Sequence, residues 1–340
     1  MTQKTELTGT VPEAPLTVPS PVQQEDSRLK AFFQKGTPYW FVSPYIIIFG
    51  VFGIFPIFFM IFLSFHTWNP VAGLASMRFV GWENYTLSLT DPTLWHTLWN
   101  TVVIALLSGL SQHLVALPMA YLLVSLGHRA RHWLTTAYFL PYVTSTVAVS
   151  MIFYIMYAPE SGIINRALVT LANGQITGFL FGWINDLMPI RWLQENSLIR
   201  YSISFVVFWK YVGFNIVIYA AGLTTINKEL YEAAKIDGAS SWQRFRFVAL
   251  PLLKPFIFFA VTLTIIGNMN LFDEPYVLTR GLQQAATNGM TISNYLYRIG
   301  WEWLDMGGAA AVSWILFVVI GIFTGIYFWL FGREGLGGND

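Results

Sequence analysis

The stretch Met306 to Gly332, MGGAAAVSWILFVVIGIFTGIYFWLFG, runs without a single Asp, Glu, Lys or Arg. A hydrocarbon core about 30 Å thick is crossed by about 20 helical residues, so this segment is long enough to span a bilayer. Five more stretches pass the same test: Tyr39 to Phe65, Thr93 to Leu126, Trp133 to Pro159, Tyr201 to Asn227 and Pro255 to Phe272. The last is the shortest and has room to continue past Phe272, and Lys210 is the one charge inside any of the six. Backbone amides in lipid must bond within their own segment, and these runs exceed the roughly 9 to 11 residues of a barrel strand. The expected fold is an all-α integral membrane protein with six transmembrane helices.

Composition agrees. Of 340 residues, 55% are hydrophobic and only 11% charged, against roughly a quarter charged in a soluble domain. With 19 basic and 18 acidic side chains there is no net field to attract nucleic acid. The absence of Cys excludes a disulfide framework, a thiolate metal site and a cysteine nucleophile. The first apolar run starts at residue 39, is too long for a signal-peptide core and has no small-residue cleavage site after Phe65, so it is expected to remain in the mature protein.

Orientation follows from where Lys and Arg fall. With the N-terminus inside, the inner segments hold Lys4, Arg28, Lys30, Lys35, Arg129, Arg131, Lys228, Lys235, Arg244, Arg246, Lys254 and Arg333; the outer ones hold Arg78, Arg166, Arg191, Arg200, Arg280 and Arg298. Both termini are expected in the cytoplasm. Residues 1–38, with Pro12, Pro15, Pro19 and Pro21 among polar residues, read as a flexible tail, residues 39–332 as the membrane domain, and residues 333–340 as a second tail. The outer segments Glu160 to Arg200 and Asp273 to Asp305 are long and carry Trp183, Trp192, Trp301 and Trp303, which fit either an interfacial aromatic belt or a docking surface. Phe179 to Trp183 could form a short interfacial helix.

One inner loop is set apart by length. Residues 228–254 separate spans four and five, whereas the preceding inner loop is only Gly127 to His132. Leu230 to Asp237 is rich in helix formers, Gly238 supplies a left-handed corner, and a second short helix is expected before Pro251 and Pro255. Ala233, Ala234 and Ala239 keep that corner thin, and Glu232 offers a carboxylate to a basic partner. A plain amphipathic surface hairpin would satisfy the same physics.

The string Glu232-Ala233-Ala234, Gly238, Leu250-Pro251 resembles the EAA loop of permease subunits of binding-protein-dependent ABC importers, with Asp237, Ala239 and Phe245 matching the fuller pattern and Val248 standing where Ile is usual. Ser64-Phe65, Phe79 to Tyr85, Asn100-Thr101, Pro141, Gly162 to Asn165, Trp209-Lys210, Gly213-Phe214, Phe272 to Thr279 and Gly308 to Ala311 look like landmarks of the maltose-type carbohydrate permeases. Arg280-Gly281-Leu282 departs from that branch's usual Gly-Gly-Pro turn. The resemblance implies a non-catalytic subunit of a bacterial or archaeal cytoplasmic membrane importer, working with a second permease, two ATPase subunits and an external sugar-binding protein. It implies that Glu232, Ala233, Ala234, Asp237, Gly238 and Ala239 form a coupling helix seated on the ATPase, Glu232 pairing with a basic residue there. The chain needs no cofactor of its own on this view, ATP and Mg being bound by the ATPase. Consistently, no Gly-x-x-x-x-Gly-Lys-Ser/Thr occurs and none of the seven lysines follows a Gly.

A polar solute needs hydrogen-bonding groups near the midplane and apolar faces for ring stacking. Tyr211, Asn215 and Tyr219 recur every four residues on span four, and Thr264 and Asn268 repeat that spacing on span five with Asn270 close by. These six are the candidate substrate path, with interhelical hydrogen bonding as the plainer reading of each. Lys210, about 14 Å into its span at 1.5 Å per residue, reads as an inward-facing structural residue. Asp273 and Glu274 read as a turn or cap ahead of Pro275, and His128 and His132, flanked by Arg129 and Arg131, as a poor metal site.

Two other functions remain open at this level. An ion-driven secondary transporter would want acidic residues inside the spans, where none is read. An intramembrane transferase would want a base or metal ligands at the membrane edge, where only Asp273, Glu274, Glu302 and Asp305 are placed. The absence of Arg in the spans favours a neutral sugar over a phosphorylated cargo.

Overall fold

The computed structural model describes residues 41–174, 177–279 and 288–335. The expected tail at residues 1–38, the Arg280-Gly281-Leu282 turn and residues 336–340 lie outside the described residues. The chain divides into two compact units, residues 1–60 and 61–340.

Described residues of the first unit belong to helix α1 (Phe41–Ser64), interrupted by a π-helical turn at Gly50–Ile54. Phe41, Tyr45, Ile47, Phe52 and Phe58 are exposed, which water would penalise and lipid would not.

The second unit continues with a two-stranded antiparallel ribbon, β1 (His66–Thr67) and β2 (Arg78–Phe79), in register His66↔Phe79. Helix α2 (Glu83–Thr90) follows, then α3 (Pro92–Ser125), α4 (His128–Val143), α5 (Thr146–Met156), α6 (Ile163–Asn173) and α7 (Ile199–Thr225). The loop after span four holds α8 (Lys228–Ile236) and α9 (Ser241–Arg244), and span five is built from α10 (Lys254–Met269) and α11 (Asp273–Thr279). Helix α12 (Ile292–Tyr297) precedes the last span, α13 (Met306–Gly335). Helices Gly178–Phe181 and Gly182–Leu187 occupy the segment expected to form a short helix.

Five helical stretches are long and apolar enough to cross a membrane, and α4 with α5 makes a sixth only as a pair bent by 92°. The third span, expected to be continuous from Trp133 to Pro159, is therefore broken at Thr144 and Ser145. Leu140 still accepts the amide of Thr144, whose own backbone turns extended, and after Ser145 the residue Thr146 opens α5. Span five does extend past Phe272: its ladder stops at Asn270 and resumes at Asp273. Helix α7 is the central one. Of its most apolar stretch 61% is buried, against 28% or less in the other single-helix spans.

Two apolar clusters sit along α7. Towards the end that carries the 228–254 loop, called the loop side below, Ile216, Tyr219 and Leu223 pack with Ala116, Ala120 and Leu123 of α3 and with Phe245, Ala249 and Leu253. At the opposite, far side, Ile199, Ile203 and Val207 pack with Phe153, Tyr157 and Leu278. Gly213 lets α7 approach α4 so closely that a Cβ there would strike the backbone carbonyl of Tyr138.

The far side is tied by side chains rather than by long regular elements. Asn84 donates to the carbonyls of Ser64 and His66 at 3.0 and 2.9 Å, and Tyr85 donates to Ser64 Oγ at 2.8 Å. Asn165 donates to Pro159 and Ile190 carbonyls and accepts from Trp192 Nε1. Asn100 donates to the Met290 carbonyl at 3.0 Å, Thr101 accepts the Ile292 amide at 2.9 Å, and Thr291 donates to the Leu271 carbonyl at 2.8 Å. These are buried polar groups satisfied in place, and most sit at the landmarks singled out in the sequence.

Candidate functional site

A cavity of about 260 Å³ opens among α3, α4, α7 and α10. Its walls include Gln112 of α3, Tyr142 of α4, Tyr211, Phe214 and Asn215 of α7, and Thr264 and Asn268 of α10. Tyr142 stacks on Phe214 with ring centroids 4.7 Å apart and meets Tyr211 edge-on at 5.9 Å. The cavity thus joins an aromatic wall to a set of uncharged amides and hydroxyls.

The amides are incompletely paired. Asn215 Nδ2 donates to Gln112 Oε1 at 3.0 Å. Gln112 Nε2 and Asn215 Oδ1 then have no partner among the described residues, although both residues are only 1% exposed. Exchanging N and O in both amides still leaves one donor and one acceptor over, now on Asn215 and Gln112 respectively. Each unsatisfied buried group costs about 1–3 kcal/mol, a penalty that a hydroxyl removes by accepting from the one and donating to the other. Asn268 is better satisfied, donating to Ser108 Oγ at 3.0 Å.

Of the six candidate path residues, the structure brings four to this cavity: Tyr211, Asn215, Thr264 and Asn268. Tyr219 does not line it; fully buried, its hydroxyl lies 2.6 Å from His113 Nδ1 within the loop-side cluster. Asn270 donates to the Ile266 carbonyl at 2.8 Å and faces a separate groove of about 750 Å³ beside α13. Gln112, Tyr142 and Phe214 were missed as wall residues. Gln112, an amide deep inside an apolar span, carried the same signal that marked Asn215.

Asp273 and Glu274 do open a helix, in its first turn, but the reading of the spans as free of acidic residues is overturned. Span five continues through Thr279, and Glu274 lies inside it at 1% exposure. Glu274 Oε1 is 3.8 Å from Lys210 Nζ and accepts from the Tyr211 hydroxyl at 3.1 Å, and Lys210 also donates to Thr146 Oγ1. A lone Lys in a span demands a counter-charge, which was the available clue. Lys210 and Glu274 stand behind the Tyr211 ring, outside the cavity wall.

The 228–254 loop forms the expected corner. Asn227 caps α8 by accepting the Glu229 amide at 3.1 Å. At the other end the Ala239 amide donates to the Ala234 carbonyl and the Gly238 amide to Lys235, the paired bonds of a Schellman stop. Gly238 has φ +81°, and Ser240 opens α9 with a reciprocal capping box to Gln243. Glu232, Ala233, Asp237 and Gly238 are exposed while Ala234 and Ala239 are half-buried, and Ile236 and Trp242 project large exposed apolar side chains beside them. Phe245 is buried, its ring 5.1 Å from that of Tyr121 in α3, whose hydroxyl donates to the Ser241 carbonyl at 3.4 Å. Burial, then the neighbouring Tyr121, raises the Tyr231 hydroxyl pKa.

Broken spans around a polar, uncharged cavity, with an exposed helical corner at one membrane face, define a multi-pass helical membrane protein of the transport type. The chain belongs to the family of binding-protein-dependent transport system inner membrane components, which it matches over residues 112–333. It is 32% identical to the arabinooligosaccharides transport system permease protein AraP of Bacillus subtilis (strain 168), over 89% of this chain and 91% of that protein. It is also 32% identical to the lactose transport system permease protein LacF of Rhizobium radiobacter, over 74% and 81%. A chain of a bacterial ABC transporter involved in the import of the acidic polysaccharide alginate shares its fold at TM-score 0.69 and 22% identity, covering 90% of this chain and 99% of that one. The same fold is met at TM-score 0.75 and 21% identity in a bacterial alginate ABC transporter in complex with an alginate pentasaccharide-bound periplasmic protein.

Proposed function

We propose that this chain forms half of the translocation path of an ATP-driven saccharide importer and transmits closure of a separate ATPase through the corner at Glu232 to Ala239. One observation carries the reading: a single helix, α3, provides both the seat of the corner, at Tyr121, and an amide of the cavity, at Gln112. Nine residues of helix, about 14 Å at 1.5 Å per residue, separate them. A push on the corner therefore reaches the cavity through one continuous helix, which carries Pro118 between the two residues. The loop side faces the cytoplasm on this reading, which the distribution of basic residues supports, and the same distribution supports cytoplasmic termini. A second permease supplies the other half of the path, two ATPase subunits bind ATP and Mg, and an external binding protein delivers the saccharide to the far side. Names of the relatives support a saccharide, and the stacked Tyr142 and Phe214 rings beside the orphaned amides offer the apolar face and the hydroxyl partners that a sugar ring needs. Alternation of access follows from tilting α3 against the central α7.

Glu274 removes the lack of acidic residues as an argument against an ion-driven carrier. The carboxylate is committed to Lys210 and Tyr211, however, and nothing else among the described residues favours that alternative. The test is ATP hydrolysis by the complete complex in proteoliposomes with its binding protein and saccharide. Glu232→Ala combined with Gly238→Pro is expected to abolish saccharide-stimulated hydrolysis while the complex still assembles; full stimulation would end the assignment of the corner.

A further inference from the structure

Family membership leaves the charge of the cargo open, since the similar proteins named above include one for lactose and one for an acidic polysaccharide. The cavity wall holds no ionisable group other than the hydroxyls of Tyr142 and Tyr211. The fixed charges in direct contact with the wall residue Tyr211 are Lys210 and Glu274, both buried, while Asp273 beside them in sequence is exposed to the surroundings. Lys210 Nζ lies 5.0 Å from the centroid of the Tyr211 ring, and Glu274 accepts the hydroxyl of that same ring. Tyr211 is thus the partition between the ion pair and the cavity. Without Glu274, an ammonium one ring away would attract anions into a low-dielectric space where charge is weakly screened.

We propose that Glu274 is a specificity-determining residue: by cancelling Lys210 behind Tyr211 it keeps the cavity electrically neutral, so that uncharged saccharides enter and anionic ones gain no attraction. The saccharide part rests on the proposed function, whereas neutrality rests on this geometry alone. Two further observations fit. Thr146, the first residue of α5, accepts from Lys210, and Glu274 lies in the first turn of α11. The ammonium is thus held at the start of α5 and its counter-charge at the start of α11, so the pair bridges the two breaks in spans three and five. Gln112, Asn215, Thr264 and Asn268 then act on a ligand only through neutral hydrogen bonds.

The chain contains no Cys, so a reporter thiol introduced at Thr264→Cys is its only one. In the assembled complex, this thiol is titrated with neutral, anionic and cationic methanethiosulfonates of similar size, read on the isolated band of this chain. In the otherwise wild-type background the anionic-to-cationic rate ratio is expected to match that of a free thiol in solution. Glu274→Gln is expected to raise the ratio, and Lys210→Met to lower it, by roughly threefold to thirtyfold according to the effective dielectric. The Lys210→Met/Glu274→Gln pair is expected to restore it, and serves where a single variant does not assemble. A ratio already well above that of the free thiol in the wild-type background, or one unmoved by both singles, overturns the proposal. No transport or hydrolysis enters this measurement, so a failed coupling experiment and a failed neutrality experiment are told apart.

Discussion

Lys210 and Glu274 are each almost fully enclosed, and their pairing determines what either can be replaced by. Removing one partner of a buried ion pair leaves an uncompensated charge at a cost of about 3–5 kcal/mol, whereas replacing both is often close to neutral. Lys210→Met alone is therefore expected to lower the melting temperature of the detergent-solubilised complex markedly, and Lys210→Met with Glu274→Gln to recover most of the loss. A double variant as unstable as the worse single one would contradict the pairing. At this scale the sequence was only half readable. Tyr211, Asn215, Thr264 and Asn268 were visible because polar residues at helical spacing in an apolar run have few explanations. Tyr219 shares their spacing but turns to His113, since a four-residue repeat drifts around the helix and the last member points to a different neighbour. Glu274 was hidden because hydropathy ends the fifth span at the acidic pair, whereas the chain restarts its helix there.

Among the elements, the corner between α8 and α9 is the most completely specified by local sequence. Gly238 at φ +81° and the Ser240–Gln243 box are both short-range devices. Gly238→Ala places a Cβ in a left-handed conformation at about 1 kcal/mol, and Ser240→Ala removes a cap worth about 1 kcal/mol. Either change is expected to raise deuterium uptake in the peptide covering residues 228–243 while α7 and α3 keep their protection. Unchanged uptake would mean that contacts other than these two caps hold the corner. The Leu230 to Asp237 helix was legible for the same local reasons. The 92° break between α4 and α5 was not: Pro141 lies inside α4, and the turn falls three residues later, at Thr144 and Ser145. Its position is a tertiary outcome, set where Lys210 reaches Thr146 and where the Tyr138 carbonyl meets Gly213.

For the whole molecule, the six-span count and the family were legible because they rest on hydropathy and on a long residue string. The far-side closure was not, because it is made by scattered single side chains. Asp91 is its most testable member. Partial burial pushes its carboxyl up, but hydrogen bonds from the Tyr295 hydroxyl, the Thr93 amide and the Thr93 hydroxyl outweigh that and hold it below its ordinary value of 3.8. The Tyr295 hydroxyl is raised, by burial first and then by Asp91, so it stays protonated over the usable range. A carboxylate lowered on folding stabilises the fold above its unfolded pKa, and that contribution is lost as pH falls through the lower, folded value. The melting temperature of the wild type is thus expected to exceed that of Asp91→Asn at pH 6, the gap starting to close only below about pH 4 and vanishing as pH falls through the lower folded value. A constant difference across that window would separate the stability of this end from the Asp91 charge. The broken third span has a different consequence. At 1.5 Å per residue, α4 and α5 measure about 24 and 17 Å along their axes, and neither alone matches a hydrocarbon layer of about 30 Å. Wherever the bent pair meets lipid, the tails have to thin or tilt to match it, so acyl-chain length, and not only headgroup charge, becomes a variable that tunes how readily this molecule works in a given host membrane.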